Sequence, residues 1–185
     1  MRSLLRSGLD LRHPLRRSTL PIASATLLIA LTLQRVSELV IAKRNTKTLL
    51  ARGAYELGAS QYPILIAFHL VWLASLLLLG WGQQVNVAFV VIALVLQLGR
   101  LWVQRTLGER WTTRIIILPR VKPVRSGPYR FFRHPNAAIV ALELPCLSLA
   151  LGLPWHAIVF GVVNIGVTIW RARIEDAGLA AVRAA

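Results

Sequence analysis

Two short segments of the 185-residue sequence carry side-chain types that could bind an anion or move a proton. The first is Ser126 to Asn136, SGPYRFFRHPN, which sets Arg130, Arg133, His134 and three aromatic rings between two proline breaks. The second is a stripe on the last apolar run. Asn164, Thr168, Arg171 and Glu175 are spaced by four, three and four residues, which keeps them on one helix face with Asp176 beside them. An arginine offers a planar fork of donors to an oxyanion, and a histidine or carboxylate can take up a proton. Each segment also has a plainer reading: a basic, aromatic membrane anchor for the first, a salt-bridged helix end for the second. Metal chemistry is disfavoured, because His69, His134 and His156 lack ligand spacing and His156 belongs at the opposite membrane face.

The elements around these segments decide whether they meet. Gly127-Pro128 marks a turn, since glycine reaches positive φ and proline fixes its own φ. His134-Pro135 breaks the chain again, and Tyr129 to Arg133 between them fits a short interfacial helix with rings and arginines in the headgroup zone. Ala137–Leu153 reads as an apolar span interrupted by Glu143 and Pro145, and His156–Trp170 as a further span whose helix continues to about Asp176. The uncharged turn Gly152-Leu153-Pro154-Trp155 joins the two as a hairpin. Its open end therefore carries both segments, and Ser126–Asn136 becomes the lip of a site.

Hydrophobic residues make up 56% of the chain and charged residues 16%, in runs near the length needed to cross a hydrocarbon core of about 30 Å. This is the composition of an all-α integral membrane protein. The formal charge of +15 could suggest nucleic acid, yet the cations cluster at the ends of apolar runs and no separate soluble part carries them. Residues 1–19 form a basic N-terminal arm ahead of a single membrane-embedded domain, 20–185. Spans are expected at about 21–41, 62–79, 85–101, 137–153 and 156–170, with two tight hairpins. Lys43, Arg44, Lys47 and Arg52 read as a basic loop ending in the breakers Gly53 and Gly58. The segment 104–135, with its short run Ile115–Leu118, is too brief to cross and lies along the interface or under the site. Within the first span, Gln34, Arg35 and Glu38 share a face, and Glu143 sits in the fourth. Buried charges are costly unless paired or facing a wet cavity, so each either pins helix packing or lines the site. Glu143 could answer Arg35 or His69. With the start of the chain outside, 16 of the 22 lysines and arginines, Arg100 among them, fall on the cytoplasmic side, together with the C-terminus. The single Cys146 excludes an internal disulfide.

The order PRVKPVRSGPYRFFRHPN, an apolar helix with Glu143, a tight turn, then Arg171-x-x-x-Glu175 with Asp176, resembles the isoprenylcysteine carboxyl methyltransferase family. QRVSELVIAKRN and ERWTTRIIILP look like the bacterial branch associated with type III polyketide synthases, which places the chain in a bacterial inner membrane. The resemblance covers roughly residues 30–180. It implies a cytoplasmic pocket for S-adenosylmethionine made by Gly127, Pro128, Tyr129, Arg133, His134, Pro135, Asn136 and Asp176, and a lipophilic acceptor admitted from the bilayer lipids. It implies that Arg171 and Glu175 are catalytic: Arg171 orients the acceptor, and Glu175 fixes Arg171 or contacts the cofactor. Arg35, Glu38, Glu143, Asn164 and Thr168 are candidates for lining the substrate side. Two positions depart from the family pattern, Ala137 where a tyrosine is usual and Asp176 where a second glutamate is usual. The acceptor is either a prenylated cysteine carboxylate or the hydroxyl of a long-chain alkylpyrone or alkylresorcinol, the latter needing a base such as Glu175 or His134. A reading of another class is a small non-enzymatic transporter subunit or scaffold, which would bind no methyl donor.

Overall fold

The computed structural model describes the backbone of residues 15–119 and 121–184. Residues 1–14 of the expected arm lie outside this range, and residues 15–19 already belong to the first helix. Five helices follow: α1 (Leu15–Ala51), α2 (Gln61–Gly80), α3 (Val87–Leu107), α4 (Pro135–Ala150) and α5 (Pro154–Ala184). Four of them are long and apolar enough to cross a membrane, over Pro21–Ala51, Gln61–Gly80, Val87–Arg110 and Pro154–Ala180. The helix expected at 137–153 is α4, apolar but only 16 residues long.

The mainly helical fold agrees with the sequence, with one addition. Strand β1 (Tyr55–Leu57) pairs antiparallel with β2 (Ile115–Ile117), Glu56 opposite Ile116. Three consecutive β-branched residues favour an extended, half-buried ribbon over an interfacial coil. A second difference concerns the basic loop, because α1 runs on to Ala51 and carries Lys43, Arg44 and Lys47 as helix. No breaker precedes Gly53, which turns the chain at φ 84°. Asn45 also anchors that extension, its Nδ2 donating to the Trp111 carbonyl at 2.8 Å.

Leu28, Trp72, Leu76, Leu144, Leu147 and Leu151 form the main core between α1, α2 and α4. Outward-facing apolar residues such as Leu78 (81% exposed) and Val162 (68%) give the bundle a lipid-compatible surface. At one end the short turns are knitted together, with the Gly82 amide donating to Ser24 Oγ at 3.0 Å and the Asn86 amide to the Ala150 carbonyl at 2.8 Å. His156 lies at this end, its ring nitrogens 2.9 Å from Ser75 Oγ and 2.8 Å from Ser148 Oγ. The opposite end holds the ribbon, the lip and the emerging part of α5.

Candidate active site

The lip opens with Gly127 at φ 57°, packed so tightly on α3 that a Cβ there would collide with the Thr106 hydroxyl and lie 3.2 Å from Trp102 Nε1. Only glycine meets both demands. Gly127–Arg130 then makes a single 3-10 turn, shorter than the helix expected over Tyr129–Arg133. The Phe131 and Phe132 amides both donate to the Pro128 carbonyl, which exhausts that turn. His134 precedes Pro135 and so is held out of the α region, at φ −128° and ψ 66°. Phe131 and Phe132 are left 68% and 63% exposed, while Pro128 is buried.

Helix α5 brings its acidic pair to this lip. His134 Nε2 lies 3.0 Å from Asp176 Oδ1, and His134 Nδ1 lies 3.7 Å from Glu175 Oε2. Arg133 Nη2 reaches the same Asp176 oxygen at 2.9 Å. The shorter acid at position 176 thus receives two cationic or donor groups from the lip. One turn earlier, Arg171 Nη1 donates to the Thr113 carbonyl at 2.7 Å, so α5 is also tied to the approach to β2.

Beside these contacts lies a cavity of about 590 Å³, walled by Leu107, Ile117, Lys122, Tyr129, Arg133 and Glu175 among others; the other expected cofactor residues, Gly127, Pro128, His134, Pro135, Asn136 and Asp176, do not line it. Burial, and then the Glu175 carboxylate, push the Tyr129 phenol above its ordinary range, placing ring and acid in one electrostatic environment. Arg171 faces a second, much smaller cavity with Tyr62, Arg114 and Trp170. The α5 turn from Arg171 to Glu175 and strand β2 therefore stand between two cavities, Ile115 lining one and Ile116 and Ile117 the other.

The remaining candidates divide. Arg35, Glu38 and Glu143 meet in a buried ionic cluster: Glu143 Oε2 is 2.8 Å from Arg35 Nη2 and 3.0 Å from Arg100 Nη1. Glu38 accepts from Gln34 (2.8 Å), Arg35 (3.2 Å), Gln104 (3.0 Å) and Arg100 Nη2 (2.7 Å). These three residues line neither cavity. Arg100, grouped by sequence with the cytoplasmic cations, is only 8% exposed and belongs to this cluster. The missed signal is the spacing of Gln97, Arg100 and Gln104, three polar residues on one face of an apolar helix. Asn164 is buried at 1% exposure and donates to the Val140 carbonyl at 2.9 Å, holding α5 to α4, with Thr168 half-buried one turn on. Asn136, in the first turn of α4, has a buried Oδ1 without a partner. His69 is satisfied within its helix by the Leu65 carbonyl at 2.9 Å. Among the described residues, no group of three or more His, Cys, Asp or Glu side chains is arranged to hold a metal ion.

The sequence model of the isoprenylcysteine carboxyl methyltransferase family matches residues 87–181. The chain belongs to that family. The segment matched to the methyltransferase family runs from α3 almost to the end of α5, so it contains the lip, the acidic pair and most of the wall of the large cavity. It excludes α1, β1 and α2. Over 159 residues the chain is 35% identical to the uncharacterized protein YpbQ of Bacillus subtilis (strain 168), covering 83% of this chain and 95% of that one. Over 145 residues it is 26% identical to an uncharacterized protein of Haemophilus influenzae, covering 69% of this chain and 83% of the other. No solved structure gives a significant match.

Proposed function

We propose that this member of the family is an integral membrane O-methyltransferase that uses S-adenosylmethionine to methylate a lipophilic acceptor. The observation that carries the reading is the meeting of His134 and Asp176 at 3.0 Å, which ties the lip ahead of α4 to the end of α5 beside the cavity that Arg133 and Glu175 line. Its size, about 590 Å³, falls within the range of small-molecule sites, about 300–1,000 Å³. Its lining also suits the donor's chemistry, with Glu175 for a cationic group, Arg133 and Lys122 for a carboxylate and Tyr129 for a flat ring. Bound there, S-adenosylmethionine supplies a methyl group whose S–C bond breaks with the electron pair left on sulfur, as a C–O bond forms on the acceptor.

The chain's own work is orientation and exclusion of water. Arg171, half-buried and held by the Thr113 carbonyl, keeps further N–H groups free to point at an acceptor oxygen. An acceptor that is already a carboxylate requires nothing more. A phenolic or enolic hydroxyl must lose its proton, and Glu175 on the next turn is the nearest carboxylate along α5 to receive it. His134 and Arg133 hold Asp176, which fixes the lip. We place this end of the bundle in the cytoplasm of a bacterial cell, where the methyl donor is made.

The test is to incubate membranes containing the protein with methyl-labelled S-adenosylmethionine and a panel of alkylpyrones, alkylresorcinols and farnesylated cysteine analogues. Label is expected in one of these, suppressed by S-adenosylhomocysteine. Absence of transfer to every member, together with no binding of S-adenosylhomocysteine, rejects the activity.

A further inference from the structure

The charges around the large cavity are out of balance. Arg110, Lys122, Arg125, Arg130 and Arg133 line it against a single acid, Glu175. Arg133 is answered by Asp176 at 2.9 Å, whereas Arg110 Nη1 donates only to the neutral Lys122 carbonyl, at 3.1 Å. Among the described residues, no carboxylate lies within 4.0 Å of a charged nitrogen of Arg110, Lys122, Arg125 or Arg130. Setting Glu175 and Asp176 against the five cations leaves three positive charges without a counter-charge. Elsewhere at this end of the bundle arginines are matched: Arg52 meets Glu109 and Arg114 meets Glu56, each at 2.7 Å. Orienting a chain in a membrane needs cations near its spans, not a ring of them around one opening.

Apolar groups alternate with these cations. Val121, Phe131 and Phe132 are exposed and line the same cavity beside the exposed Lys122, Arg125 and Arg130. The lip runs directly into the apolar helix α4 at Pro135, which sets these rings and guanidinium groups at the bilayer surface. Such a surface suits an amphiphile with an anionic head and chains that stay in hydrocarbon, and arginine's fork matches phosphate oxygens in particular. The methyl donor does not correct the imbalance. S-adenosylmethionine sets a sulfonium and an ammonium against one carboxylate, a net charge of about +1 at neutral pH. Its entry into a space with surplus positive charge is opposed by Coulomb repulsion unless an anion stands there already.

We propose that the mouth of the large cavity binds the phosphodiester head of an anionic phospholipid, held by Arg125 and Arg130 with its chains beside Phe131 and Phe132, and that this lipid raises affinity for the cationic donor. The lipid is a resident partner, distinct from the molecule that is methylated. Its site stands on charge and exposure alone, while its effect on the donor rests on the methyltransferase reading. Free phosphate shares the head's chemistry but leaves the exposed rings uncovered, which favours the lipid.

The experiment uses the full chain in neutral detergent micelles. Fluorescence anisotropy follows a chain-labelled phosphatidylglycerol, and phosphatidylcholine with the same label, in three proteins: wild type, Arg125→Gln with Arg130→Gln, and Arg125→Lys with Arg130→Lys. Wild type is expected to prefer phosphatidylglycerol by about tenfold or more, the glutamine variant to lose most of that preference and the lysine variant to keep most of it. Equal affinity of wild type for the two lipids, or no loss in the glutamine variant, overturns the site. Inorganic phosphate in large excess should leave the labelled lipid bound; displacement makes this a site for a soluble anion and overturns the lipid. Calorimetry then measures S-adenosylmethionine and S-adenosylhomocysteine with and without phosphatidylglycerol. The lipid is expected to tighten the first about fivefold and to change the second little, because it lacks the sulfonium charge. An equal effect on both, or none, rejects the coupling. Arginine-dependent lipid binding without affinity for either compound keeps the lipid site and rejects the methyltransferase reading.

Discussion

His134 Nε2 and Asp176 Oδ1 stand 3.0 Å apart although 42 residues separate them in the chain. Since α4 and α5 are joined at their other ends by the turn Leu151–Leu153, this contact closes the hairpin into a loop of fixed geometry. Asp176→Asn removes the charge that faces Arg133 and is expected to weaken binding of S-adenosylhomocysteine about tenfold, with Asp176→Glu restoring most of it. Calorimetric titration reads both, and an unchanged affinity in the asparagine variant removes Asp176 from the site.

Arg171→Ala is expected to lower turnover by about a hundredfold or more with little loss of fold, since its work is orientation. Arg171→Lys should recover little, because an ammonium cannot hold the Thr113 carbonyl and an acceptor oxygen in one plane. Initial rates with labelled donor, beside thermal melting of each variant, separate the two effects.

Glu143 is 1% exposed and answers two arginines at once. Glu143→Ala leaves those cations buried with one carboxylate between them and is expected to cost about 3–5 kcal/mol. Replacing Arg35 and Glu143 together, by Met and Leu, leaves Arg100 matched by Glu38 and should recover most of that loss. Denaturation in detergent measures it; equal stability of the single variant and wild type contradicts the packing role.

Tyr129 supplies a pH dependence. Burial first, and the Glu175 carboxylate second, raise its phenol above the ordinary 10.0, so the folded protein keeps a proton that the unfolded chain gives up. Its contribution is complete below about pH 10 and is lost as pH rises through the folded value. Melting temperatures taken from about pH 8 to pH 11 should fall at the alkaline end in wild type and fall less in Tyr129→Phe.

The sequence showed the helices wherever one signal ruled a long stretch. Trp81 to Asn86 and Leu151 to Leu153 are turns because glycine punctuates uncharged residues between apolar runs; α4 and α5 pack as the hairpin expected, whereas α2 packs on α1 and α5 and α3 on α4 rather than on each other. The stripe on α5 was equally legible, since a spacing of three and four survives any tertiary context. What could not be read was partnership across distance. The ribbon joins Leu57 to Ile115, and neither segment alone outweighs a coil. Arg100 looked like a surface cation because its helix was ended at residue 101, whereas it is drawn inward by two carboxylates on other helices. The division of Arg171 and Glu175 between two cavities was equally invisible, because neighbours on one helix face were assumed to share one space.

The brevity of α4 has a consequence for where this site operates. Its 16 residues rise only about 24 Å, and its far end is fastened by the Asn86 amide to the turn between α2 and α3. The helix is therefore roughly 6 Å shorter than a hydrocarbon layer about 30 Å thick. Hydrophobic mismatch on that scale is relieved by thinning of the surrounding leaflet or by sinking the exposed Phe131 and Phe132 among acyl chains. Either way, the thickness of the host bilayer becomes a control on how deep an oily molecule must rise to be met.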